Sequence, residues 1–135
     1  MQWTSALTVG VAEIDAQHQE LFRRVDRLLD AMLANDRAEG ERLVGFLLEY
    51  VKFHFADEEA LMLRRRFPGL AAHQAEHAAF AVEVEKLAAD FRARGATAAL
   101  ILALEREVCD WLRDHVYLSD VQLGKFVLAG RPEAR

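Results

Sequence analysis

Apolar residues recur at three- and four-residue intervals along most of this chain, and that spacing limits its fold more than any other feature. One stripe runs from about Asp15 to Ala34 through Leu21, Val25, Leu28, Leu29 and Met32. A second runs from about Ala38 to Arg65 through Leu43, Leu47, Val51, Leu61 and Met62. A third, from about Leu70 to Ala93, carries Phe80, Val84, Leu87 and Phe91, and a fourth, from about Thr97 to Leu118, carries Leu104, Val108 and Trp111. The breaks have local causes. Asp15 can cap the first helix and Asn35-Asp36 can stop it. Phe67-Pro68-Gly69 ends the second, because Pro lacks a donor and disfavours helix in the residue before it. Gly95 after Arg92 and Arg94 is a C-terminal signature.

Short connections between long helices favour antiparallel neighbours. The expected fold is therefore all-α, an antiparallel up-down-up-down four-helix bundle with an extended N-terminal arm and a short C-terminal tail helix. The expected boundaries within a single domain of 1–135 are an arm over 1–14, the bundle over 15–118 and a tail over 119–135. Within the tail, Asp120 to Leu128 should form one or two helical turns, and Trp3 should pack across one end of the bundle. A chain with only 7 Gly and 2 Pro is poorly supplied with the turns an all-β fold needs.

Charge and composition narrow the partners. A net charge of −5 opposes binding to nucleic acid or anionic lipid. No run of about 18 apolar residues appears, so no membrane span is expected. The N-terminus lacks a basic start and an apolar stretch, and a single cysteine, Cys109, fits a reducing compartment. The expectation is a soluble, cytoplasmic monomer.

All 5 histidines continue the apolar stripe of their helix. His18 precedes Leu21 and Val25, and His54 follows Leu47 and Val51. His73 and His77 precede Phe80 and Val84, while His115 follows Val108 and Trp111. Glu58 lies one turn after His54 on the same face, and Asp120 lies five residues after His115, where the fourth helix should end and the chain can bend inward. A single inward histidine is ordinarily a core residue bonded to a carbonyl. Five imidazoles and two carboxylates buried without partners would cost several kcal/mol each, roughly, and a metal centre satisfies all of them at once.

Seven candidate ligands exceed the four of a structural zinc site. Imidazole with carboxylate suits Fe, Zn or Cu, whereas Ca and Mg prefer oxygen alone. The set fits two adjacent metals sharing Glu58 and Asp120. The zinc-protease spacing H-E-x-x-H is absent, since His73-Gln74-Ala75-Glu76-His77 puts its Glu in the wrong slot. So is the ferritin-like Glu-x-x-His: the residues three before each histidine are Asp15, Val51, Leu70, Gln74 and Leu112.

The constellation resembles the hemerythrin family, specifically its bacterial single-domain members. The likeness is carried by Val9-Gly10-Val11 through Ile14-Asp15-x-Gln17-His18-x-x-Leu21, by His54-Phe55-x-x-Glu58-Glu59-x-x-Met62 and by His73-x-x-x-His77-x-x-Phe80. Trp111-Leu112-x-x-His115 and Val116-x-x-x-Asp120-x-x-x-Gly124 complete it. The resemblance implies a non-haem di-iron centre, oxo- or hydroxo-bridged. In it His73, His77 and His115 would hold one iron, His18 and His54 the other, and Glu58 and Asp120 would bridge them. It further implies one open position on the second iron, where O2 binds, for oxygen storage, delivery or sensing. Leu21, Phe22, Phe55, Trp111, Leu112 and Val116, each beside a ligand or within about one turn of one, are the expected apolar walls of that pocket. Two alternatives stand beside this binding protein: a di-iron enzyme reducing O2, peroxide or nitric oxide, and an iron- or redox-responsive interaction module. Arg64, Arg65 and Arg66 suit the dipole of a helix C-terminus, and Cys109 reads as a small buried filler.

Overall fold

The computed structural model describes residues 2–130. Met1 and the 131–135 part of the expected tail lie outside them. The first long helix, α1 (Ala12–Leu33), begins three residues before the expected Asp15. Asp15 does not cap it. Its carboxylate folds back and accepts from the backbone N–H groups of Val9 (2.8 Å) and Gly10 (3.2 Å), tying the arm to the first turn. A negative charge is also favourable at that position beside the helix N-terminus. Asn35 takes a left-handed conformation with φ 54°, and Asp36 starts the next helix rather than ending the first, its side chain accepting from Glu39 N–H at 3.2 Å.

α2 (Arg37–Arg65) stops where Arg66 turns left-handed, just before Phe67-Pro68. α3 (Leu70–Arg94) ends at Gly95, with φ 73°. Thr97 then caps the fourth rod by accepting from Leu100 N–H at 3.1 Å. That rod is longer and less regular than the spacing predicts. It comprises α4 (Ala98–Ala103), a π-helical stretch (Leu104–Asp110), α5 (Trp111–His115), a second π-helical stretch (Val116–Asp120) and α6 (Val121–Ala129). The junction residues all keep right-handed helical dihedrals, so the rod is continuous from 98 to 129. The expected separate tail helix is thus an extension of the fourth helix, and the expected end near Leu118 does not occur.

The second π stretch has a direct consequence for Asp120. In an α-helix of 3.6 residues per turn, a residue five positions on points about 140° away from its start. A turn closed by i→i+5 hydrogen bonds is wider and brings it much closer to that start. His115 and Asp120, five apart, therefore face the same way, with His115 Nε2 and Asp120 Oδ1 3.2 Å apart. A wider turn, not the expected bend at a helix end, carries the carboxylate inward.

The four rods pack as neighbours in chain order, with the fourth also against α1, which closes the bundle. Two apolar clusters form. The larger gathers Val25 and Leu28, Val51, Val84 and Phe91, and Leu104 and Val108 from all four rods. The smaller joins Met62, Leu123 and Val127 at the other end. Among the described residues no helix is long and apolar enough to cross a membrane.

The arm contains one 3-10 turn (Ser5–Leu7) and buries Leu7 and Val9. Trp3 packs against the larger cluster along the flank of α1, bordering a 280 Å³ hollow with Gln19, Phe22 and Arg23, rather than across one end. Further on, the arm presses on α6. A Cβ placed on Gly124 would lie 2.0 Å from the Val9 carbonyl oxygen.

This contact makes a paired prediction. Gly124→Ala should destabilise the fold by about 2 kcal/mol, because the obstructing atom is backbone and cannot swing away. Gly45→Ala, in mid-helix with nothing within 4 Å of the new methyl, should stabilise by about 1 kcal/mol. Chemical denaturation of both variants checks the pair, and equal shifts would contradict the arm's close approach.

Candidate metal centre

Between the two apolar clusters lies a polar layer made of the five histidines and two carboxylates singled out from the sequence. His18, His54, Glu58, His73, His77, His115 and Asp120 are all buried, and none is more than 4% exposed. Each rod contributes: His18 from α1, His54 and Glu58 from α2, His73 and His77 from α3, His115 and Asp120 from the fourth. The one-turn spacings 54–58 and 73–77 place both members of each pair on one helix face.

The carboxylates organise the layer into two lobes. Glu58 turns Oε1 to His73 Nε2 (2.9 Å) and His77 Nε2 (3.1 Å), and Oε2 to His54 Nε2 (3.1 Å) and His18 Nε2 (3.5 Å). Asp120 turns Oδ1 to His73 Nε2 (2.9 Å) and His115 Nε2 (3.2 Å), and Oδ2 to His18 Nε2 (3.0 Å). Glu58 and Asp120 thus face both lobes at once. One lobe offers three imidazoles and two carboxylate oxygens, and the other offers two of each. In each lobe the ligand atoms lie within 4.8 Å of one another.

Several of these atoms are close without being bonded. His18 Nε2, His115 Nε2, Glu58 Oε2 and both oxygens of Asp120 are buried and make no aligned hydrogen bond among the described residues. Lone pairs that converge without pointing at one another are poorly served by protons and well served by a cation between them.

The outer nitrogens reinforce this. Gln17 Nε2 donates to Asp57 Oδ2 at 2.8 Å, which fixes the amide and leaves its Oε1 facing His54 Nδ1 at 2.7 Å. His77 Nδ1 donates to Glu59 Oε2 (2.8 Å) and His115 Nδ1 to Glu76 Oε1 (3.2 Å), where Ser119 Oγ also donates (2.8 Å). Each acceptor keeps the proton on Nδ1 and presents an Nε2 lone pair inward, the tautomer that metal ligation requires. Ring stacking holds the planes. Phe55 lies flat on His77 with centroids 3.7 Å apart, and Trp111 lies flat on His115 at 4.6 Å.

Of the expected pocket residues, Phe55 and Trp111 therefore rest against imidazoles of the three-histidine lobe, and Phe55 also meets His54 with centroids 5.8 Å apart. Leu21, Phe22, Leu112 and Val116 are buried in the larger apolar cluster. The outer acceptors Gln17, Asp57, Glu59 and Glu76 carry no assignment from the stripes, since they sit off the inward faces. In the sequence Gln17 and Glu59 stand within the stretches that carry the hemerythrin likeness, while Asp57 and Glu76 are marked only by adjacency to Glu58 and His77.

The chemistry of the donor set fits a pair of transition-metal ions: borderline nitrogen donors, few charges and two carboxylates able to span. Without metal the layer holds protons. Burial disfavours charge on His18, but the Asp120 and Glu58 carboxylates beside its Nε2 outweigh it and push its pKa up to about 9. Burial likewise opposes charge on His73, and the same two carboxylates raise it to about 10. Burial disfavours the Glu58 anion too, yet four surrounding imidazoles hold its pKa well below the usual carboxylate range.

A helical bundle enclosing such a layer belongs to the class of metal-binding four-helix proteins. The Hemerythrin HHE cation binding domain matches residues 9–125, and the chain belongs to the hemerythrin family, which binds a di-iron centre. Bacteriohemerythrin of Methylococcus capsulatus is 32% identical over 86% of this chain and 88% of its own length. Bacteriohemerythrin of Ralstonia nicotianae is 30% identical over 100% of this chain and 94% of its own. A crystal structure of wild-type hemerythrin superposes with a TM-score of 0.83 at 31% identity, covering 94% of this chain and 97% of that one.

Metal must displace the protons now held by the imidazoles. Adding ferrous iron anaerobically to metal-free protein at pH 7 should release about two protons per chain, read with an indicator dye in weak buffer; no release would contradict the proton-filled layer. Raised histidines stabilise the fold below their unfolded value and lose that effect as pH climbs through the folded one. The metal-free protein should therefore lose stability between pH 7 and about 10, seen as a falling Tm.

Proposed function

We propose that this protein binds O2 reversibly at a non-haem di-iron centre, as an oxygen-binding protein rather than an enzyme. His73, His77 and His115 would hold one iron, His18 and His54 the other, and Glu58 and Asp120, which face both lobes, would serve both. The observation that carries the reading is the inequality of the lobes: five protein donors meet in one and four in the other, around the same two carboxylates. The lobe with five donors would hold its iron more completely, and the lobe with four would leave the more room for an added ligand. Two ferrous ions together supply a reversible pair of electrons for O2.

The protein's own residues make such binding reversible by what they exclude. Leu21, Phe22, Phe55, Leu112 and Val116, with Trp111 beside them, wall the centre with apolar atoms. Such a wall keeps water out and carries no acidic or basic side chain. The stacked Phe55 and Trp111 rings stop His77 and His115 from turning and so keep their inner nitrogens in place. The names of the relatives, bacteriohemerythrins and the myohemerythrin of Riftia pachyptila, support the same reading.

Loaded anaerobically, the protein should bind two irons per chain and show an absorption change on oxygenation that reverses under vacuum. A single iron, or an irreversible change, would contradict the reading. Leu112→Asp should shorten the lifetime of the oxygenated protein at least tenfold, on the order of 1.4 kcal/mol in barrier, by admitting water and charge. An unchanged lifetime would remove Leu112 from the pocket wall.

A further inference from the structure

The groups behind the imidazoles divide by charge in the same way that the lobes divide by donor number. In the three-histidine lobe, two imidazoles donate to carboxylates: His77 to Glu59 at 2.8 Å and His115 to Glu76 at 3.2 Å. In the two-histidine lobe no imidazole does. His54 donates to the neutral amide oxygen of Gln17 at 2.7 Å, and the buried Nδ1 of His18 has no hydrogen-bond partner among the described residues. A carboxylate is nonetheless close to His54. Asp57 sits immediately beyond Gln17, accepting from its Nε2 at 2.8 Å, so the glutamine stands between the anion and the ring.

We propose that Gln17 is a positioning residue that holds His54 through a neutral acceptor and so keeps the two metal positions electronically unlike. The inference rests on the di-iron reading above. A carboxylate accepting the Nδ1 proton draws it away, makes the imidazole more basic and strengthens its donation to a metal. Glu59 and Glu76 thereby favour the ferric state in the lobe whose protein donors leave no free position. Gln17 orients His54 as firmly, but an amide oxygen polarises the ring less, and that favours the ferrous state in the lobe with room for O2. Interposing an amide ties His54 to α1 through Gln17 while setting the full negative charge of Asp57 one side chain further away.

The test moves one charge and little else. In the double variant Gln17→Glu with Asp57→Asn, the hydrogen bond between the two side chains can persist with donor and acceptor exchanged. Net charge is unchanged, and a carboxylate oxygen takes the place of the amide oxygen against His54 Nδ1. Metal-free wild type and variants are titrated anaerobically with ferrous iron to count sites, and the loaded proteins are then titrated potentiometrically. Wild type is expected to bind two irons and to show two separated one-electron midpoints.

The double variant should lower the higher midpoint by about 59 mV, a tenfold shift toward the ferric form, and leave the lower one in place. Glu59→Gln and Glu76→Gln, which keep an oxygen acceptor behind each ring, should instead raise the lower midpoint. If the double variant fails to fold, these two single variants still decide the matter. Two irons bound in every protein with unchanged midpoints would overturn the proposal and leave the oxygen-binding reading intact. One iron bound by the wild type would overturn both.

Discussion

Glu58 and Asp120 each turn one oxygen toward the three-histidine lobe and the other toward the two-histidine lobe, and the bundle is arranged around that sharing. Neither carboxylate could be buried at 0% and 1% exposure without positive charge beside it. Protons on raised histidines provide that charge in the metal-free protein, and metal ions provide it in the loaded one. The apolar clusters on either side make the layer's polarity costly and its occupancy stabilising. Occupancy and folding are therefore coupled, because ligand atoms held together by the fold have no preformed counterpart in the unfolded chain.

Local irregularities serve that layer. The π-helical stretch Val116–Asp120 exists where the spacing from His115 to Asp120 is five, a separation that a regular α-helix would aim apart. The arm, fastened by Asp15 and seated on Gly124, lies over the rod that carries both of those residues. Aromatic rings stacked on His77 and His115 and acceptors behind His54, His77 and His115 remove the remaining freedom of the imidazoles. The orientation of these three imidazoles is thus fixed from outside the layer, leaving their inner nitrogens free to donate.

The helices and the seven inward polar residues were legible because both follow one rule, the recurrence of side chains on a helical face. His18, His54, His73, His77 and His115 extend stripes already defined by leucines, valines and aromatics. What was not legible depends on contacts between elements. Asp15 looked like a cap because its residue type favours caps, yet the arm's N–H groups outcompeted the helix for its carboxylate. The fourth helix looked finished near Leu118 because the stripe loses its α-helical phase there, which is how a π turn reads on a 3.6-residue wheel. Gln17, Glu59 and Glu76 sit beside ligands in the chain but off the stripes, so only folding reveals which imidazole each one meets. The family resemblance reached the di-iron centre, while the charge difference between the two outer sets came from distances alone.

Anomalous diffraction at the iron absorption edge, from crystals of the iron-loaded protein, locates the metal without reference to the protein's own atoms. Two peaks inside the bundle are predicted, one among His73, His77 and His115 and one beside His18 and His54, with Glu58 and Asp120 reaching both. A single internal peak, or iron found only at the surface, would contradict the account.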